Sequence, residues 1–181
     1  FFVLVFLLDF LKGALPVTFA YMPHLFVGRP QHPFLYLPEA AGFAAILGHM
    51  FPIFLNFKGG KGVATSVGVV LCLMPHAALS GLGAFLLVLL LTRMVSAGSL
   101  AFAVTFAVVY FVRTPQPWSA LLLPRSLFAV VVVLLVFLRH RTNILRMAYR
   151  MESKINFPWH KKPLQSEPAP LDPGPPEGIR S

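Results

Sequence analysis

The sequence predicts an all-α, polytopic integral membrane protein. Three observations carry that expectation. The chain of 181 residues is 57% hydrophobic and 12% charged, with a mean hydropathy of +0.76, where a soluble domain carries roughly 25% charged residues. Apolar runs of near-spanning length recur along it. The net charge of +9 collects in loops and after Leu138, which is how lysine and arginine flank spans on the cytoplasmic side. Nucleic-acid binding is the reading this pattern disfavours. The single cysteine, Cys72, excludes an internal disulfide and lies in an apolar helix, where packing is its expected role.

The first apolar segment covers residues 1–22. It begins at Phe1 with no basic residues before it, so it does not read as a signal peptide, and the expectation is an N-terminally truncated chain. Asp9 and Lys12 lie three apart, on one helix face, and are expected to form a structural ion pair inside the bundle. Residues 23–37 read as a loop with three prolines, His24, Arg29 and His32. Pro38 and Glu39 then open a helix, expected to run to about Phe57 with a kink at Pro52. His49 on it is expected to pack or hydrogen-bond rather than to act as a ligand.

Residues 63–74 form a short apolar helix that Pro75 ends. Residues 76–94 form a long leucine-rich one, and Thr92 to Ser99 a second polar break. A helix resumes over 100–112, a turn follows from Arg113 to Trp118, and 120–138 is the last span. Ile144, Leu145, Ala148, Tyr149 and Met151 then have the spacing of a short amphipathic interfacial helix. Residues 1–157 are expected to be one membrane domain. Residues 158–181, rich in proline and charge, are expected to be a disordered cytoplasmic tail.

The segment between the second and third of these helices, Lys58-Gly59-Gly60-Lys61-Gly62-Val63-Ala64-Thr65, is unlike the rest. A spanning helix must satisfy its own backbone, so three glycines in four residues argue for a break. Glycine admits positive φ, successive N–H groups can then form an anion nest, and the helix resuming at Val63 adds its positive dipole end. With Lys58 and Lys61 this suits a phosphate; a basic loop that merely fixes topology is the alternative. It is not a Walker loop, since Asn56 and Leu55 stand where that pattern needs its first glycine.

Alternate spans bring three polar stretches to one membrane face: this loop, the Arg93–Ser99 break and the segment after Leu138. Lysine, arginine, serine, histidine and asparagine gathered on one face read as one site.

Gly48-His49-x-Phe51-Pro52-x-Phe54-x-x-Phe57-Lys58-Gly59-Gly60-Lys61-Gly62-Val63-Ala64-Thr65 resembles the signature of the bacterial membrane glycerol-3-phosphate acyltransferases that use acyl phosphate, the PlsY family. Asp9-x-x-Lys12-Gly13-x-x-Pro16, Arg93-x-x-Ser96-x-x-Ser99 and His140-Arg141-x-Asn143-Ile144-x-Arg146, followed by Glu152 and Lys154, are similar to further family motifs in the same order. The resemblance spans about residues 3–155 and implies about six membrane segments of a seven-helix fold, with its first helix and first motif upstream of Phe1. The chain alone is therefore expected to be inactive or unstable, which detectable turnover would refute.

The resemblance also implies acyl transfer from acyl phosphate to the 1-position of glycerol 3-phosphate, giving lysophosphatidate and phosphate. It implies no metal and no other cofactor, the bilayer and the two substrates as partners, and a bacterial inner-membrane location with the site facing the cytoplasm. His140, Asn143, Lys61 and Ser99 are the expected catalytic residues. Lys58, Gly59, Gly60, Lys61, Gly62, Thr65, Arg93 and Ser96 are expected to bind substrate phosphate. Serines near helix ends also cap backbone, so Ser96 has both roles open. The oligomeric state stays open. The rival class is a small transporter or channel for an anionic solute, since broken helices and intramembrane charges also occur there.

Overall fold

The computed structural model describes residues 2–26, 36–57 and 59–156. Seven α-helices make up the fold: α1 Phe2–Phe26, α2 Leu37–Met50, α3 Val63–Leu73, α4 Pro75–Thr92, α5 Val95–Arg113, α6 Leu123–Arg139 and α7 Arg141–Ala148. No strand occurs among the described residues. Four helical stretches are long and apolar enough to cross a membrane: Val3–Met22, Leu37–Leu55, Pro75–Thr92 and Val95–Arg113. α6 and α7, bent by 56° at His140, add a fifth when the bent pair is counted as one span. α3, at 11 residues and about 16 Å, is the short sixth segment.

Several boundaries differ from expectation. α1 continues through Pro23 to Phe26, so the expected loop starts a turn late. Residues 27–35 of that loop, Arg29 and His32 included, lie outside the described residues, as does the chain beyond Asn156. α2 stops at Met50 rather than near Phe57, because Pro52 has no N–H to continue the ladder and biases Phe51 away from helix. A 3₁₀ turn, Ile53–Leu55, and left-handed Asn56 and Phe57 follow. The second polar break shrinks to Arg93 and Met94, so Ser96 and Ser99 lie inside α5.

Two close helix crossings hold the bundle. Where α1 meets α3, a β-carbon on Gly13 would strike the Thr65 carbonyl, and one on Gly68 would strike the Phe10 carbonyl. Where α4 meets α5, β-carbons on Gly81 and Gly98 would stand 3.0 Å from the carbonyls of Phe102 and Phe85. Small residues at such crossings let backbones approach, which drives packing where lipid competes equally for apolar side chains. Replacing Gly13 with valine is expected to separate α1 from α3 and to lower the melting temperature in detergent, whereas Gly83→Ala, with open space around it, is expected to leave it unchanged.

Val17, Ile46, Met50, Val69, Phe106 and Val132 are buried in the core between the helices. Leu86, Leu90, Leu91, Val104, Val108 and Val112 stay exposed on the outside. At the α2 start, Glu39 takes both Nε and Nη2 of Arg125 from α6, at 2.8 and 2.7 Å. Nearby, Tyr110 lies 3.0 Å from Ser126, whose hydroxyl donates to the Pro117 carbonyl. These polar contacts tie one end of the bundle. The opposite end carries the glycine segment.

Candidate functional site

Three chain breaks meet at that opposite end: the glycine segment before α3, the Arg93 turn between α4 and α5, and the His140 bend between α6 and α7. The strap after α7, residues 149–156, ties them together. Ile155 donates its backbone N–H to the Arg93 carbonyl at 2.8 Å. Glu152 Oε1 accepts 2.6 Å hydrogen bonds from both Ser96 Oγ and Asn143 Nδ2. Lys61 and Arg146 attract the same carboxylate. Burial pushes the Glu152 carboxyl up, but the two hydrogen bonds and the two cations outweigh it and hold it below the usual glutamate range.

A carboxyl held below its ordinary pKa stabilises the folded strap above the unfolded value, about 4.3, and loses that contribution as pH falls through the folded value. The amide of Ile155 is therefore expected to be protected from hydrogen exchange at neutral pH and released as pH falls below the usual glutamate range. Glu152→Gln is expected to remove that acid transition once intrinsic exchange rates are divided out.

Partial burial pulls the Lys61 ammonium below the usual lysine range; Glu152 opposes this and Arg146 adds to it. His140 is 1% exposed, and its Nδ1 lies 2.8 Å from the Val136 carbonyl. A carbonyl can only accept, so Nδ1 carries a proton, and in the neutral ring Nε2 keeps its lone pair. Lys61 and Glu152 are the charges that act on this ring. Asn143, on the first turn of α7, is also buried. The amide has a second N–H and an oxygen that no described residue engages.

Lys58 lies outside the described residues. The glycines have reasons that differ from the expected nest of positive φ angles. Among the described glycines only Gly62 has positive φ, +74°, where it precedes α3. Gly59 and Gly60 are needed because the end of α2 presses on them. A β-carbon on Gly59 would lie 2.6 Å from the Met50 carbonyl, and one on Gly60 would run into the His49 ring. Gly62 gives α3 no side-chain cap; the Ser66 N–H is the first to bond back, to the Gly62 carbonyl. The N–H groups of Val63, Ala64 and Thr65 thus have no partner within the helix.

Other expected residues do not turn a side-chain hydrogen bond toward Glu152. Thr65 is fully buried, its Oγ1 without a partner among the described residues. Ser99 is one turn deeper than Ser96 and donates its hydroxyl to the Val95 carbonyl at 2.9 Å. Arg93 takes a left-handed φ of 60° that ends α4; its carbonyl, not its guanidinium, holds the strap. Asp9 and Lys12 pair at 3.1 Å, and His49 joins them, its Nδ1 3.5 Å from Asp9 Oδ1. Arg139 was not singled out as a site residue. It donates to the Met50 carbonyl, with its guanidinium 4.6 Å from the centre of the Phe51 ring. Its run of neighbouring arginines gave no sign of which one would turn inward.

The fold and this end of it define a class: a polytopic helical membrane protein with a basic, glycine-bounded polar site at one end of the bundle. The comparisons narrow it. The glycerol-3-phosphate acyltransferase family model matches residues 1–150, and the chain belongs to that family. A glycerol-3-phosphate acyltransferase of Synechococcus elongatus is 40% identical over 151 residues, which cover 83% of this chain and 69% of the relative. One from Anaeromyxobacter dehalogenans is 41% identical over 157 residues, 84% of this chain and 72% of the relative. The crystal structure of PlsY, an integral membrane glycerol 3-phosphate acyltransferase, in its glycerol 3-phosphate form superposes with a TM-score of 0.70 at 35% identity, covering 85% of this chain and 70% of that one. Its lysophosphatidic acid form matches as well, with a TM-score of 0.70. The chain is accordingly membrane-embedded, with the all-α fold that the sequence predicts.

Proposed function

We propose that the protein transfers an acyl group from acyl phosphate to the 1-hydroxyl of glycerol 3-phosphate, releasing lysophosphatidate and phosphate. The observation that carries this reading is the convergence of Lys61, Ser96, Asn143 and His140 around Glu152 beside the uncapped start of α3. Family relatives that bear the acyltransferase name, and PlsY structures in glycerol 3-phosphate and lysophosphatidic acid forms, support it.

The donor's phosphoryl group would rest on the glycine segment, against the open N–H groups of α3 and the Lys61 ammonium. As the 1-hydroxyl oxygen attacks the acyl carbonyl carbon, the bond from that carbon to the bridging oxygen breaks and the phosphate leaves with the electron pair. Fixed donors stabilise the charge that gathers on it. Acyl phosphate is already activated, so no covalent enzyme intermediate is required. The hydroxyl proton passes to a phosphate oxygen of the donor, with His140 Nε2 as the alternative acceptor. A His140→Gln variant that keeps near-full activity would select the first route; a loss of about 10² or more would select the second. Asn143 orients the glycerol hydroxyls, and Ser96 and Arg93 meet substrate oxygens.

The distribution of lysine and arginine supports a site that faces the cytoplasm, and the family resemblance supports the bacterial inner membrane as its location. The polar breaks lie at one end of the bundle rather than at its middle, which disfavours a transporter. The test is labelled glycerol 3-phosphate in proteoliposomes: lysophosphatidate formation supports acyl transfer, and solute flux without product overturns it.

A further inference from the structure

We propose that a cavity at the end of the bundle away from the glycine segment seats the phosphate headgroup of an anionic phospholipid, in the membrane leaflet opposite to the candidate site. The proposal does not depend on the acyl-transfer reading. The cavity measures about 330 Å³ and lies where the turn from α3 to α4 meets the connection from α5 to α6. Leu73, Met74, Ala77 and Val109 give it an apolar lining. His76, Arg113, Thr114 and Arg125 supply its polar side.

The charges at this end do not balance. Glu39 engages Arg125 through both Nε and Nη2, so that pair is neutral. Arg113 is the last residue of α5. Its guanidinium makes no hydrogen bond or ion pair with a described residue, and neither do the side chains of His76 and Thr114. The sequence holds six acids. Asp9 and Glu152 stand at the opposite end, beside Gly60 and Lys61, and Glu39 is already taken. Glu167, Asp172 and Glu177 lie outside the described residues. No described carboxylate is therefore placed to meet Arg113, and an anion from outside the chain fits.

The surroundings select an amphiphile. Val112, next to Arg113, is 78% exposed, as a lipid-facing residue at the end of a span would be. Trp118 is also exposed and stacks on Phe111 with ring centroids 5.3 Å apart. Tryptophan collects at the boundary between hydrocarbon and headgroups. At that depth the abundant anion is a phospholipid phosphate. The Arg113 fork can hold two phosphate oxygens, His76 and Thr114 can each donate to another, and the apolar lining takes the carbon atoms beside the phosphate. An arginine that only snorkels among headgroups would be indifferent to the cavity.

The test reads lipid binding to the protein in detergent micelles, as the thermal shift and as lipid retained in native mass spectrometry. Phosphatidylglycerol, phosphatidylcholine with the same chains and inorganic phosphate are offered separately. Phosphatidylglycerol is expected to raise Tm and stay bound, phosphatidylcholine to do so more weakly, and inorganic phosphate to do neither. Arg113→Gln is expected to weaken phosphatidylglycerol binding about tenfold or more, the loss of a charge-assisted contact. Arg113→Lys should lose part of that, because an ammonium keeps the charge without the fork. Val109→Phe, which fills the cavity and leaves every charge in place, should weaken binding as much as Arg113→Gln. Arg150→Gln, at the opposite end, should bind as the wild type does.

Phosphatidylglycerol binding that survives Arg113→Gln, that falls equally in Arg150→Gln, or that phosphatidylcholine matches overturns the site. An equal shift from inorganic phosphate overturns the lipid assignment. Binding kept by Val109→Phe leaves Arg113 a snorkelling cation and overturns the cavity as the seat. If Val109→Phe fails to fold, Arg113→Gln, on an exposed side chain, still decides.

Discussion

Replacing Lys61 with alanine is expected to lower kcat/KM for acyl transfer by about 10² to 10³, the cost of removing one pre-placed donor from a developing oxyanion. Lys61 is the full positive charge that the described glycine segment contributes, and it faces the Glu152 carboxylate that gathers Ser96 and Asn143. The loss should fall on the acyl phosphate side of the reaction. Phosphate release from acyl phosphate should drop in parallel with lysophosphatidate formation. Loss of Lys61 also leaves Glu152 with one fewer cation, so its carboxyl should rise in pKa and the acid release of the strap should move to higher pH. A variant that retains more than half of the wild-type rate would contradict the role assigned to this residue.

Gly59→Ala is the second large effect. The added methyl group would stand 2.5 Å from Pro52 Cδ and 2.6 Å from the Met50 carbonyl. Both are rigid parts of the end of α2, and Arg139 already braces the same Met50 carbonyl from α6. Nothing there can swing aside as a long side chain would, so the glycine segment must move instead. A displacement of about 1 Å at a site of this kind costs on the order of 10²-fold in rate. Activity is expected to fall that far while melting temperature falls by a few degrees. Gly83→Ala adds the same methyl group to α4 where space is open, and it should keep full activity. Equal activities in the two variants would mean that the close approach at Gly59 does not hold the loop.

Much of this end of the protein was legible from the chain itself. The alternation of spans was enough to bring the glycine segment, the Arg93 turn and the His140 bend to one end, and the strap contacts among them agree with that placement. The reason for the glycines was less legible. Composition suggested positive φ, and Gly62 has it. Gly59 and Gly60 answer to the end of α2, a neighbour that becomes visible once Pro52 is seen to end that helix and fold the chain back. Ser96 and Ser99 look equivalent in sequence, three apart on one face. One hydroxyl reaches Glu152 and the other bonds back to Val95, a difference set by helix depth. Glu152 stood in the motif as a trailing acid. Its place as the point where α5, α7 and the strap join depends on a turn at Tyr149 and Arg150, the latter with a positive φ of 58°, and no spacing rule announces it. His49 was read as a packing or hydrogen-bonding histidine. Its ring packs against Gly60, and its Nδ1 stands 3.5 Å from Asp9 Oδ1.

The central claim is that the basic site accepts acyl phosphate and acylates glycerol 3-phosphate. The most direct measurement offers acyl phosphate and acyl-CoA separately, with labelled glycerol 3-phosphate, to the protein in proteoliposomes, and reads lysophosphatidate. The account predicts product from acyl phosphate alone, with one phosphate released per acyl group transferred. Equal product from acyl-CoA, or none from acyl phosphate in folded, membrane-inserted protein, would contradict it.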